Sequence, residues 1–316
     1  VNKGVAAAFG AYVIWGFLPI YWHLLATVSP AEILANRIIW SFLLLVVFLT
    51  LRKDWAWARP ALQNKKTILS FVAASLLLST NWFIYIWAVN AGHVIETSLG
   101  YFINPLVVIV FGVVFLHERM RPYQLAAVGL AAGGVLYLTW MHGQIPWIAI
   151  SLAVSFGLYG LLKKIGALNS LRGLTLETAV MGLPALVFLF FVEANGTAAL
   201  GHQSLQVTLM LVMSGLVTSL PLVLFGYGAQ KIPLYMVGLA QYIAPTIQFF
   251  LGLFWFREEF IPGQLPGYIL VWIALGIYSF GELWNWRQRI MIERNLRAQS
   301  ASSTETQTPG AAAPGR

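Results

Sequence analysis

The sequence predicts an all-α polytopic membrane protein, ten transmembrane helices in two inverted five-helix repeats. Three features predict it. The 316-residue chain is 59% hydrophobic and only 9% charged, with a mean hydropathy of +0.76, whereas soluble domains run near half apolar and about a quarter charged. Apolar runs of about 20 residues, the length that crosses a bilayer, recur along the chain between turn signals. The first half also reappears in the second at a fixed offset. This composition sets aside soluble enzymes, nucleic-acid binders and disulfide scaffolds. The net charge of +8 then points to lipid headgroups as the anionic partner, with no nucleic acid. The chain has no cysteine, which removes thiol catalysis, disulfides and thiolate metal sites.

Taken in order, the predicted spans are 4–26, 30–51, 67–89, 93–116, 122–140, 145–164, 174–192, 204–230, 234–256 and 262–284. The first is too long for a signal-peptide core and lacks a small-x-small cleavage site, so it counts as a span. Ser29-Pro30 opens the second, and the polar run Arg52 to Lys66 separates it from the third. Pro122, Pro146, Pro233 and Pro262 fall where helices start, the position that tolerates the missing N–H. The links at 27–29, 90–92 and 231–233 are so short that neighbouring spans must run antiparallel. Placing both termini in the cytoplasm leaves only Arg257 outside and Arg37 within a span, out of 19 basic residues. That is the positive-inside distribution. The Ser/Thr/Ala/Pro/Gly-rich tail, 291–316, is expected to be disordered.

Residues 100–125 align without gaps on 240–265 at an offset of 140. Pro105 meets Pro245, Gly112 meets Gly252, Glu118 meets Glu258, Pro122 meets Pro262, and Gln124-Leu125 meets Gln264-Leu265. Upstream, Trp15-Gly16 meets Phe156-Gly157 at an offset of 141. The unit is five helices, 1–143 and then 144–290. Five is odd, so the second copy enters the membrane upside down, as in secondary transporters that alternate between two openings. Duplication without alternating access is the structural alternative.

The strings HERMRPYQLAAVG at 117–129 and REEFIPGQLPG at 257–267 resemble the EamA family of the drug/metabolite transporter superfamily. Within it, NRIIWS at 36–41, NWFIYIWAVN at 81–90 and ETSLGYFINPL at 96–106 resemble the RarD subfamily. The likeness covers residue 3 to about 290. It implies a bacterial inner-membrane transporter of small metabolites whose cavity is lined by the third, fourth, eighth and ninth spans. It names no substrate.

Candidate transport residues follow from the cost of polar groups in lipid. Pro105 and Pro245 sit mid-span and free the carbonyls of Tyr101 and Gln241, which must face protein or a wet cavity. They are the candidate hinges. Asn81, Trp82 and Tyr85 put an amide, an indole and a phenol together deep in the third span. Tyr101 and Asn104 on the fourth, Gln241 and Tyr242 on the ninth, and Trp15 on the first complete the expected substrate set, with Tyr227 and Gln248 as weaker members. Arg37 and Glu96 lie at similar depth, so either they pair, or Glu96 couples protons and Arg37 holds an anion. Glu177, near the mirror position of Arg37, is expected at the cytoplasmic rim. Trp22, with Trp140, Trp147 and Trp255, reads as part of an aromatic belt. Gly129-x-x-x-Gly133, with Gly134 beside it, permits close helix packing, in a monomer or a weak homodimer.

The chain carries no P-loop, no HExxH and no GxSxG motif. No cofactor or metal is expected. The expected partners are a small-molecule substrate, the bilayer and protons. The alternatives are a membrane partner or sensor that kept the fold, and, less supported, a lipid enzyme.

Overall fold

The computed structural model describes residues 3–91, 94–143, 145–257, 262–281, 284–285 and 288. Among them, ten helices are long and apolar enough to cross a membrane. The first six are α1 (Lys3–His23), α2 (Pro30–Leu51), the short α3 (Ala58–Gln63), α4 (Lys65–Asn90), α5 (Val94–Leu116) and α6 (Pro122–His142). There follow α7 (Trp147–Ile165), α8 (Ser170–Ala194), α9 (Leu205–Lys231), α10 (Leu234–Gln241) and α11 (Ile243–Phe250). A π-helical turn, Leu251–Phe256, continues α11, and the last span runs Pro262–Gly281. The tail, 291–316, and Glu258 lie outside the described residues.

Local chemistry sets the helix starts. Ser29 Oγ accepts from Glu32 N with Pro30 in the first turn, Asn169 Oδ1 accepts from Arg172 N, and Ser204 Oγ accepts from Val207 N. Each satisfies an N–H that the helix itself leaves free. The α5 helix stops at His117, whose φ is 52°, and the π-helical turn stops at Arg257, with φ 54°. These residues are 140 positions apart, so the helix in each copy of the repeated string ends at the corresponding left-handed position.

The outward faces are apolar. Leu183 is 72% exposed, Phe190 71% and Phe254 72%. In water such patches would drive aggregation; against lipid tails they cost nothing. The main core joins α1, α2, α4, α5, α7, α8, α9 and α10 around Tyr12, Tyr159, Phe225 and Leu234. A second cluster joins α5, α6, α7, α10 and the last span around Tyr242 and Val271. Thus α6 and the last span flank a central group rather than building it.

Close crossings need small residues. Gly134 meets the backbone oxygen of Gly267 so closely that a Cβ there would lie 2.7 Å from it. Gly129 and Gly133 have nothing within 4 Å of an added Cβ, so the packing role predicted for the stripe falls to Gly134 alone.

Polar bonds pin the two ends. At the end bearing the α1–α2 turn, the buried Glu32 carboxylate accepts from Ala199 N at 2.7 Å and Leu200 N at 3.3 Å, tying α2 to the α8–α9 loop. Glu32→Ala leaves those donors bare, at a cost of roughly 1–3 kcal/mol. Thermal unfolding in detergent should fall accordingly, with Glu32→Gln intermediate because its amide oxygen still accepts.

Candidate transport cavity

A cavity of about 500 Å3 is lined by α1, α2, α4 and α5 on one side and α7, α9, α10 and α11 on the other. Its size suits a small organic molecule. It extends from Tyr12 and Gln241, midway along their spans, to Ala26 and Pro30 at the α1–α2 turn.

Arg37 is the one charged side chain among the described residues that line it. Its Nε donates to Thr218 Oγ1 of α9 at 2.9 Å. Its guanidinium carbon lies 4.8 Å from the centre of the Trp22 ring and 4.7 Å from that of Trp82. Four helices therefore meet at one cation: α2 carries it, α1 and α4 supply indoles, and α9 supplies the hydroxyl. Cation–π contact of this kind contributes about 0.5–2 kcal/mol each, which offsets the roughly 2.5–3.5 kcal/mol that a central Arg costs on insertion scales. The pairing with Glu96 expected from depth cannot be traced, because the Glu96 side chain lies outside the described residues. His93 lies outside them too.

Asn81 donates through Nδ2 to Leu152 O at 2.8 Å and Ser155 Oγ at 2.9 Å, so it both joins α4 to α7 and lines the cavity. Tyr85 and Tyr101 meet edge to face at 6.2 Å and line its rim with Trp82. Trp15 packs against Phe156, 6.1 Å between centres, and its carbonyl accepts from Gln248 Nε2. Asn104 and Gln241 are buried, and each has a carbonyl oxygen with no hydrogen-bond partner. Both line the same cavity.

The structure corrects the expectation at several positions. Tyr242 is fully buried in the second cluster and is not among the cavity-lining residues, because at one residue past Gln241 its side chain points to the other face of the helix. Tyr227 sits near Lys231, whose Nζ lies 6.0 Å from its ring centre, at the far end of α9. Pro105 does not interrupt α5, which runs continuously to Leu116. In the ninth span the helix stops at Gln241 and restarts at Ile243, ahead of Pro245. Glu177 is not at a rim: it is 0% exposed, with Lys163 Nζ at 3.0 Å and the Tyr159 hydroxyl donating to it at 3.0 Å. Residue order alone hid this, since Lys163 and Glu177 belong to different helices. Trp22 belongs to the cavity wall rather than to a lipid belt. Tyr12, with a buried hydroxyl lacking a partner, and Thr218 were not singled out from the sequence; a lone mid-span hydroxyl in α1 was the available signal for Tyr12.

Interhelical bonds cross the opposite end of the bundle. Beside the Lys163–Glu177 pair, Ser170 Oγ donates to Val223 O at 2.7 Å and Gln230 Nε2 to Leu168 O at 2.8 Å. Lys164 Nζ donates to Ile232 O, and Arg172 pairs with Asp54 at 2.6 Å. The Glu118 carboxylate at the end of α5 accepts from Leu234 N at 2.6 Å and Tyr235 N at 3.0 Å, capping the start of α10. Glu118→Ala removes that anion from a helix start, where a cap contributes about 0.5–2 kcal/mol. The thermal midpoint in detergent should drop, and Glu118→Gln should recover part of it.

Residues 2–140 match the EamA-like transporter family. The chain is 43% identical over 290 residues to an uncharacterised transporter, YojE, of Bacillus subtilis, covering 91% of this chain and 96% of that one. It is 42% identical to the protein RarD of Streptomyces exfoliatus, covering 98% and 96%, and 37% identical to the protein RarD of Escherichia coli, covering 91% and 97%. The chain belongs to the EamA-like transporter family. Its relatives within that family place it in the RarD subfamily, and it is a multi-pass membrane transporter. A solved crystal structure sharing 17% identity matches with a TM-score of 0.69 over 88% of this chain and 98% of that one, which shows the fold. In this EamA-family chain the family match covers the first five spans, while the full-length relatives cover all ten.

Proposed function

We propose that the protein is a secondary transporter that carries a small organic solute across the bacterial inner membrane by alternating access. The observation that carries this reading is a cavity at mid-depth that reaches one end of the bundle while the other end is closed by interhelical bonds. Two inverted five-helix repeats supply the mechanism. Helices 140 residues apart make corresponding contacts: α1 packs on α9 and α11, whereas α7 packs on α4 and α5. The second state then exchanges these roles, opening the Lys163 end and closing the walls around Arg37. With the termini cytoplasmic, the basic residues Arg52, Lys65, Arg119, Lys164 and Lys231 lie inside, and the present state faces outward.

The native chain has no cysteine, so single cysteines report access directly. Gln248→Cys, on the cavity, should react with an impermeant maleimide from the periplasmic side. Ser170→Cys, at the closed end, should react only from the cytoplasmic side, and conditions that protect one should expose the other. Simultaneous reactivity of both, or permanent protection of Ser170→Cys, would reject alternating access. Flux has a separate check: counterflow exchange from metabolite-loaded proteoliposomes should fall at least tenfold in Trp82→Ala, which removes an indole from the cavity wall.

A further inference from the structure

We infer that the cavity selects organic monoanions: a carboxylate taken by the guanidinium fork of Arg37, a flat apolar body laid on the aromatic wall, and a hydroxyl or N–H group met by Asn104 and Gln241. This deepens the transport reading above and rests on it for the identification of the cavity as the substrate site.

The charge argument comes first. A cation held at this depth is costly, and intramembrane ionisable groups mark substrate paths when they face a cavity. Arg37 lines the cavity, and no other charged side chain does among the described residues. Thr218 accepts from its Nε, and its guanidinium carbon lies over the two indoles. These contacts hold the guanidinium on the cavity wall, and a carboxylate would meet its Nη groups through the paired N–H···O bonds that suit it. One cation balances one negative charge, so a dianionic phosphate monoester would carry an unpaired charge into the membrane.

The amides make the second point. Buried polar atoms are nearly always hydrogen-bonded, and exceptions call for an explanation. Asn104 Oδ1 and Gln241 Oε1 are buried acceptors without donors, on opposite halves of the chain and on one cavity. A substrate donor that satisfies them removes the penalty of roughly 1–3 kcal/mol that each otherwise carries. The walls between these polar points are aromatic, from Trp15, Trp82 and Phe156, which fits a planar body.

The test uses the purified full chain in detergent and three probes of one shape: 4-hydroxyphenylacetate, phenylacetate and 4-hydroxyphenylacetamide. Quenching of tryptophan fluorescence and thermal stabilisation report binding. The hydroxy acid should bind at least roughly tenfold more tightly than its amide, the worth of one charged hydrogen-bond pair. Arg37→Gln should make acid and amide equal, and Arg37→Lys, which keeps the charge but loses the fork, should fall between. Gln241→Leu should bring 4-hydroxyphenylacetate down to the affinity of phenylacetate and leave phenylacetate unchanged. Equal effects of acid and amide on the wild-type protein, including no effect from either, would overturn the proposal. So would an acid preference that survives Arg37→Gln. If that variant does not fold, Thr218→Val takes its place, with a loss of acid preference expected and full retention counting against the proposal. A tenfold gain in acid binding confined to Glu96→Gln would assign the fork to Glu96 and overturn it as well. Acid-selective binding with no flux of any solute in proteoliposomes removes the transport reading and leaves the anion site standing. Flux of the amide without flux of the acid does the reverse.

Discussion

Glu177→Ala should destabilise the protein by about 3–5 kcal/mol, and Lys163→Ala by a similar amount, because each leaves one buried charge without its partner. The pair is 3.0 Å apart with side-chain exposures of 2% and 0%. Its surroundings are arranged to accept it. Tyr159 gives its hydroxyl to the second carboxylate oxygen, and Ser75 of α4 gives its hydroxyl to the Glu177 carbonyl. Gly226 leaves room for the lysine stem, since a Cβ there would lie 2.9 Å from Lys163 Cε. Replacing both partners by apolar residues, Lys163→Met with Glu177→Leu, should recover most of the loss, as an ion pair exchanged for packed side chains is often neutral. Thermal unfolding and the monodispersity of the purified variants decide this. Retained stability in either single variant would mean that the pair is hydrated. On the alternating access proposed above, the single variants should also raise maleimide labelling of Ser170→Cys, since the bonds across that end have been weakened. The double apolar variant should lower it, because nothing polar is left to favour water entry.

Gly215→Ala should be among the most damaging of the conservative changes. At this residue α9 crosses α2 backbone against backbone: an added Cβ would lie 2.7 Å from Ser41 N and 2.6 Å from Trp40 Cβ. The Ser41 hydroxyl donates to Gly215 O at 2.9 Å, sealing the crossing. Neither main chain can yield without moving its helix, so the upper end of the usual overpacking cost, about 3 kcal/mol, is expected. Two controls isolate the cause. Gly182→Ala meets only Ile39 Cδ1 at 3.8 Å, and Gly133→Ala meets nothing within 4 Å. Both should purify and unfold like the parent. If Gly215→Ala does so too, the crossing is looser than its geometry. The same crossing carries Thr218 one turn further along α9, so a displaced α9 also pulls the hydroxyl from Arg37 Nε, coupling packing to the cavity.

Much of the site was legible because lipid makes polar residues expensive. Asn81, Asn104, Gln241 and Arg37 stood out from an apolar background, and all four line the cavity. Tyr242 failed the same reasoning. A residue adjacent to Gln241 in sequence lies about 100° around the helix, and its buried hydroxyl ends in a different core. Pro105 and Pro245 are equivalent in the repeat, yet only the ninth span breaks. Whether the helix breaks near the proline depends on what packs across it, and that is not written in either local string.

The sequence by itself determined the ten spans, because they rest on composition, run length and turn residues that act within a few residues of themselves. The tertiary structure alone decided which charges meet. Lys163 found Glu177, Glu118 found the start of α10, and Arg37 found Trp22, Trp82 and Thr218. Such partners are fixed by how helices cross and rotate against one another. Crossing and rotation follow from packing many side chains at once, so no single residue's position in the chain records them.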